Sequence, residues 1–348
     1  MPDSFENFDD KAWIKSLKDH GKWKCIGFQN PINIFRLLSK KLQKEIYEFL
    51  GKKILHHSII EDFNYSLKEV GRPIGLDIPL SILEIIQNED ADCITFATVV
   101  DTKGSNDFKC QILCPLGAAP SLIIHTRKNI KQREYKLKIG WMVIDYDTDF
   151  NFTLSDFNTK LKILKTDLNM NTMLHKELLE SEYDIMKEVT FVGIPVLSEF
   201  NSSNSHIIIR HHFFNEKNKI EMCTFSYCFR NNHYVNLPNF AFYTLIVIIS
   251  KYLIQDAYGK MYFERSILNK LYIDLKKYNA LKPKYISLLS TEENKCGPIF
   301  LKQRSNKITM KFINCDNCNK GNHALCICKN GEISKEKVEC NFFDPYIR

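Results

Sequence analysis

Between residues 314 and 332 the chain reads NCDNCNKGNHALCICKNGE, and this segment restricts what the chain can fold into more than any other. Cys315, Cys318, His323, Cys326 and Cys328 fall within fourteen positions. The residues between them are polar and turn-prone, so the segment lacks the apolar side chains for a core of its own. A zinc ion supplies what burial cannot, because four thiolate or imidazole ligands in a tetrahedron fix the loops around them. Two cysteines separated by two residues reach one ion without backbone strain, which fits Cys315 and Cys318. His323, Cys326, Cys328 and the later Cys340 then offer more ligands than one ion uses. Upstream, Cys223 and Cys228 stand five positions apart with His233 five further on, and Cys110 and Cys114 form a looser pair. Cys223 and Cys228 read equally as zinc ligands or as reduced core thiols, whereas Cys110 and Cys114 read first as core thiols, since cysteine packs as a small hydrophobe.

Twelve cysteines point to metal before disulfides if the compartment is reducing. The N-terminal MPDSFENFDDKAW is acidic and lacks the basic and apolar regions of a secretory signal, which sets the expectation of an intracellular protein. The most hydrophobic stretch, FAFYTLIVII at 240–249, is well short of the about 20 apolar residues that cross a bilayer and reads as buried core. With 44% hydrophobic and 26% charged residues, the composition is that of a globular chain. Charge is unevenly placed. Residues 260–348 carry 17 Lys+Arg against 9 Asp+Glu, while residues 1–259 carry 31 against 32. Such a local excess suits a nucleic-acid or acidic-protein partner, and equally a solvated face.

Periodicity gives an α+β fold class: a mixed sheet with packed helices and a zinc-stapled C-terminal region. The run RLLSKKLQKEIYEFL (36–50) spaces Leu38, Leu42, Ile46 and Phe49 as an amphipathic helix. CITFATVV (93–100), SLIIHT (121–126), YKLKIGWMVIDYD (135–147), TFVGIPV, HIIIRHHFF and KIEMCTFSYCF read as strands. Residues 154–188, 240–254 and 262–279 carry helical spacing. PIFLKQ and KITMKFI form a hairpin whose second strand leads to Cys315. Three regions follow: a helical 1–90, a mixed α/β sheet at 91–235, and 236–348 with a helical segment, the hairpin and the Cys/His-rich zinc region.

Catalytic signatures are sparse. The chain contains no H-E-x-x-H, no paired H-x-E and P-C-x-x-C, no G-x-x-x-x-G-K-[ST] and no G-x-G-x-x-G. Cys-rich zinc sites are normally closed and structural. Asp145, Asp147 and Asp149 alternate in VIDYDTDF, so on a strand they share one face, as a magnesium-dependent nuclease or transferase would need. A solvated acidic turn explains them more simply. In HIIIRHH, His206 and His212 share a strand face and His211 points the other way.

Taken together, Cys223-x4-Cys228, a helically patterned stretch including FYTLIVIISKYLIQDAYGKM, and Cys315-x2-Cys318 resemble the late-gene transcription scaffold family of beta- and gammaherpesviruses, over about residues 220–320. The resemblance implies a non-enzymatic hub in the host cell nucleus. Its partners would be viral late transcription factors, including a TATA-binding-protein-like subunit that itself contacts RNA polymerase II, with nucleic acid a secondary contact and no membrane span. It also implies that Cys223, Cys228, Cys315 and Cys318 form a structural Zn2+ or fold-fixing set. The competing expectation is a herpesvirus tegument or virion structural protein.

Overall fold

The computed structural model describes residues 37–88, 92–102, 108–126, 134–146, 159–168, 174–179, 189–201, 205–216, 219–249, 257–266, 270–278, 282–290, 299–312 and 338–345, with Lys11 and Lys15. The chain divides into two compact units, residues 1–43 and 44–348. Helix α1 (Lys40–Leu50) is the amphipathic helix expected there, and none of its residues is buried.

The described residues of the larger unit form four sheets. One has the order β1 (Lys53–Ser66), β6 (Glu134–Asp145), β3 (Ile94–Asp101). The second runs β2 (Pro73–Gly75), β5 (Ser121–Thr126), β4 (Phe108–Leu113), β9 (Val189–Leu197), β13 (Phe240–Ile249), β7 (Thr159–Leu168). In the third, β11 (Lys219–Cys228), β10 (Ile207–Glu216), β17 (Tyr285–Ser290), β20 (Val338–Phe343) and β14 (Tyr258–Tyr262) follow one another, and β8 (Leu174–Leu179) and β12 (His233–Val235) share the outer edge of β11. The fourth is β15 (Glu264–Arg265), β16 (Leu271–Asp274), β19 (Lys307–Phe312), β18 (Ile299–Gln303). A short helix, α2 (Leu80–Ile86), follows β2.

The β2–β7 sheet is the middle layer of the body, and strand parity shows it. Leu122, Ile124, Val192, Ile194, Leu245 and Val247 belong to a core shared with Phe96, Trp141 and Met142 of the three-stranded sheet. Their neighbours of opposite parity, Ile123, Phe191, Phe242 and Ile246, join Ile209, Phe213, Ile220 and Met222 of the β10–β11 sheet. A third core lies between that sheet and the fourth, around Met261, Ile273, Leu288, Ile308 and Phe342.

Burial on both faces accounts for the largest correction to the sequence reading. The protein is mostly β-sheet, with two α-helices among the described residues, and not α+β with packed helices. Residues 240–249 are strand β13; a strand covered on both faces needs no polar alternation, so its continuous apolar run looks like a buried helix. In β7, Leu161 and Ile163 face one core while Leu164 and Leu168 face the other. The resulting three- and four-residue spacing within 154–188 imitates a helical stripe. Within 262–279 the chain forms β15, β16 and a 3-10 turn at Leu275–Tyr278, with Leu271, Ile273 and Leu275 buried in alternation. Among the described residues, the span between the two cysteine pairs thus consists of strands joined by turns and irregular backbone, with no α-helix. The other expected strands are present as β3, β5, β6, β9, β10 and β11, and the hairpin as β18–β19 with Ile299 opposite Phe312.

Candidate functional site

Cys315, Cys318, His323, Cys326 and Cys328 lie outside the described residues, which resume on either side of them. The preceding strand, β19, is paired to β16 and β18; the following one, β20, is paired to β14 and β17. Ile308, Met310, Val338 and Cys340 are buried, so both attachment points of residues 313–337 are fixed in the third core. Cys340 belongs to that core, where burial pushes its thiol pKa well up and keeps it protonated, a poor state for metal ligation.

Strand β11 places the upstream pair. Its ladder with β10 runs without a register shift from Ile207↔Cys228 to Glu216↔Lys219. A five-residue step along a regular strand turns the side chain to the opposite face. Cys223 therefore packs with Phe214 opposite His212, while Cys228 points to the other face opposite Ile207 and beside His233. Both are buried, and from β11 they do not converge on one ion. Among the described residues, no group of three or more His, Cys, Asp or Glu side chains is arranged to hold a metal.

The acidic series is likewise resolved where it can be seen. Asp145 is buried at the end of β6, and Asp147 and Asp149 fall outside the described residues. The Lys52 ammonium, itself buried, lies 3.3 Å from Asp145 Oδ1 and 2.6 Å from Asp92 Oδ2, and 4.8 Å above the Tyr146 ring. Cys93 Sγ donates to Asp145 Oδ2 at 2.9 Å, and the Tyr146 N–H donates to Oδ1 at 2.8 Å. Asp145 is thus committed to a buried ion pair. Burial, then the hydrogen bond to Asp145, raises the Cys93 pKa, while burial alone raises that of Cys114, which shares with Cys93 the lining of a cavity of about 330 Å3.

A polar cluster that sequence reasoning did not find sits where the sheets part. The parallel pairs β4–β9 and β10–β17 are joined only at their C-terminal ends, by Ile112↔Val196 with Leu113↔Leu197 and by Phe213↔Leu289 with Phe214↔Ser290. Upstream the strands diverge around a chamber of about 90 Å3 lined by Cys110, Gly193, Arg210, His211 and Ser287. Divergence leaves backbone groups without ladder partners, and side chains take over. The Gly193 N–H donates to Ser287 Oγ at 3.0 Å, and Ser287 Oγ lies 2.8 Å from His211 Nε2. The hydroxyl has a second lone pair and one proton, so it accepts from Gly193 and also bonds the His211 ring, the ring tautomer setting which of the two donates. Burial, then the Arg210 guanidinium, then His212, hold the His211 pKa well below its ordinary value, so the ring is neutral. Burial lifts the Cys110 thiol to about 12, and its Sγ donates to the Ala97 carbonyl at 3.4 Å.

A hydroxyl held against a neutral imidazole is also the geometry of a nucleophile and its base. The chamber, however, has room for no more than a few water molecules, well below the about 300 Å3 at which ligand pockets begin. The pair acts as a tie among β9, β10 and β17. Gly193 is required for it: a Cβ there would meet the Phe242 ring at 2.3 Å and His211 Nε2 at 2.8 Å. Gly193→Ala is therefore expected to cost about 1–3 kcal/mol through overpacking, read as a lower urea midpoint with an unchanged m-value. A midpoint equal to the parent's would show that the sheets separate there at no cost.

The protein is thus a layered, multi-sheet β protein with polar clusters at its sheet junctions. It belongs to the family described as Domain of unknown function (DUF7431), whose model matches residues 54–321. The matched region takes in Cys315 and Cys318 and ends before His323. No curated protein and no solved structure matches the chain.

Proposed function

We propose that this chain is a non-enzymatic scaffold, a layered β body carrying a zinc-stapled Cys/His segment on which other proteins dock. One observation carries the reading. The segment holding Cys315, Cys318, His323, Cys326 and Cys328 is inserted between β19 and β20, two strands of different sheets that are both anchored in core. An insertion held at both ends gains a defined shape if its interior is crosslinked, and zinc does this where apolar residues are few. The ligand set lies within the segment. Cys223, Cys228 and Cys340 stand outside it, because each is buried in the β body. The excess of Lys and Arg over residues 260–348 favours an acidic partner surface, through faster association as well as affinity.

Reduced, purified protein is expected to carry one or two equivalents of zinc. Cys315→Ala combined with Cys318→Ala should lower that content and abolish partner recovery while the far-ultraviolet signature of β-sheet stays intact. Zinc-free parent protein, or undiminished partner recovery by the double variant, would remove the proposal. The resemblance names the first partners to look for, the viral late transcription factors and the TATA-binding-protein-like subunit, in nuclease-treated nuclear extracts. Recovery of other proteins would retain the scaffold and discard the transcriptional role.

A further inference from the structure

Another cavity, of about 370 Å3 and so within the range of about 300–1,000 Å3 usual for small-ligand sites, is lined by residues of β4, β5 and β10 and by the segment that follows β9. Its floor is apolar apart from two side chains, Gln111 of β4 and His125 of β5, both almost fully buried beside Ile123 and Ile209. These two are fixed. Gln111 Oε1 accepts the Ile209 N–H at 2.6 Å on the edge of β10 that β17 leaves open, so its Nε2 is the donor to His125 Nε2 at 2.8 Å. Accepting at Nε2 assigns the ring proton of His125 to Nδ1. Nδ1 is buried without a hydrogen bond of normal geometry, and its proton is held only by a poorly aligned backbone hydrogen bond to Ser205. A buried N–H in that position costs free energy unless an oxygen arrives to accept it.

The walls have a different character. Segment 197–201, which ends β9, and the turn at 237–239 bring Glu199, Phe200 and Asn239 to the rim, all exposed; the Phe200 ring is 37% accessible although large and apolar. On the far side Gly71 meets the Ser205 backbone so closely that a Cβ would lie 1.8 Å from its carbonyl oxygen, and its φ of +69° suits glycine. The cavity thus presents a buried donor at its floor, a carboxylate and an amide at its mouth, and one aromatic face. Neutral imidazole and amide at the floor offer no charge to an anion, and Glu199 repels one. Hydroxyl groups suit both the donor and the acceptors, and a ring with C–H groups on one face suits Phe200.

We infer that this cleft binds a neutral polyhydroxyl ligand of monosaccharide size, with a hydroxyl or ring oxygen accepting from His125 Nδ1, Asn239 and Glu199 holding outer hydroxyls, and Phe200 stacked on the C–H face. The assignment is independent of the zinc segment. The ligand is either a free sugar or the terminal residue of a glycan, and the two sources share this chemistry.

The test uses the full chain with methyl glycosides of glucose, mannose, galactose and N-acetylglucosamine at millimolar concentrations, followed by saturation-transfer NMR and calorimetry, and a glycan array in parallel. Binding of at least one glycoside is expected, weakened about tenfold by Phe200→Ala and similarly by Asn239→Ala. Both substitutions are on the exposed rim and leave the fold in place, so they remain informative if His125→Phe fails to fold. Array binding stronger than that of the matching methyl glycoside would identify a glycan end as the source; equal binding would identify the free sugar. Absence of binding across glycosides and array, or binding indifferent to both rim substitutions, would overturn the inference and leave an ordered water as the partner of Nδ1.

Discussion

Lys284→Met is expected to lower the unfolding free energy by about 3–5 kcal/mol, because it removes the buried cation of a buried ion pair. The Lys284 ammonium is fully buried, 3.0 Å from Asp344 Oδ2, whose side chain is also buried, and 4.7 Å above the ring of Phe342. The backbone around it is fixed with equal care. The Lys284 carbonyl accepts from Thr98 Oγ1 at 3.0 Å, and the Gln303 amide, oriented to suit, donates to that carbonyl at 2.9 Å and accepts the Lys284 N–H at 2.8 Å. Strands of three sheets therefore meet at one residue. Methionine keeps the apolar length of lysine and removes the charge, so packing changes little while Asp344 loses the buried cation beside it. Guanidinium denaturation of the single variants and of Lys284→Met with Asp344→Leu separates the terms. The double variant should recover most of the loss, since a well-packed apolar pair often equals a buried ion pair in stability. A loss below about 1 kcal/mol for Lys284→Met, the range of solvated surface pairs, would show that the pair is not desolvated in solution.

Strand positions were legible in the sequence wherever one rule was enough. SLIIHT, HIIIRHHFF and the PIFLKQ–KITMKFI hairpin are strands because β-branched and aromatic residues fill short runs between turns. The α+β class failed for the opposite reason. A sheet buried on both faces removes the polar alternation that identifies a strand, so β13 has no period at all and β7 has a false one. Nothing local in FAFYTLIVII distinguishes it from a buried helix; the covering of both its faces by distant strands decides the matter.

The polar clusters divide in the same way. Alternation in HIIIRHH puts His211 and His212 on opposite faces, and in the structure His211 turns to Phe242 and Ser287 while His212 turns to Phe214 and Phe225. The partner of His211 was not legible, since Ser287 is 76 residues away on a strand reached through a brief parallel pairing. Asp145 looked like a member of an exposed acidic face until Lys52, 93 residues earlier, claimed it. Five positions between Cys223 and Cys228 carried a usable signal, because an odd step on a strand separates two sulfurs that a loop could bring together.

Acidification from pH 6.5 to pH 5 is expected to lower stability, by about 1.7 kcal/mol through the buried His125 and further through His211. Burial, then Arg210, and more weakly His206, hold the His125 pKa down to about 3, against a small opposing effect of the Ser205 backbone. His211 is held well below 6.5 by burial, Arg210 and His212. In the unfolded chain both rings take up a proton near pH 6.5. Between that pH and the folded pKa values the unfolded state binds more protons, so stability is full well above pH 6.5 and falls as the pH drops, with a slope that approaches about 1.4 kcal/mol per pH unit for His125 and with His211 acting in the same direction. Carboxylates titrate mainly below this window, which makes pH 6.5 to 5 the interval to measure. His211→Gln keeps an amide in reach of Ser287 but cannot be protonated, and it should reduce the slope of unfolding free energy against pH. Imidazole C–H shifts of His125 in the folded protein should meanwhile stay constant over the same interval, and those of His211 should titrate below pH 6.5. A flat stability profile, or ring shifts that titrate near pH 6.5 in the folded state, would mean that water reaches these histidines and that the sheet junctions are open.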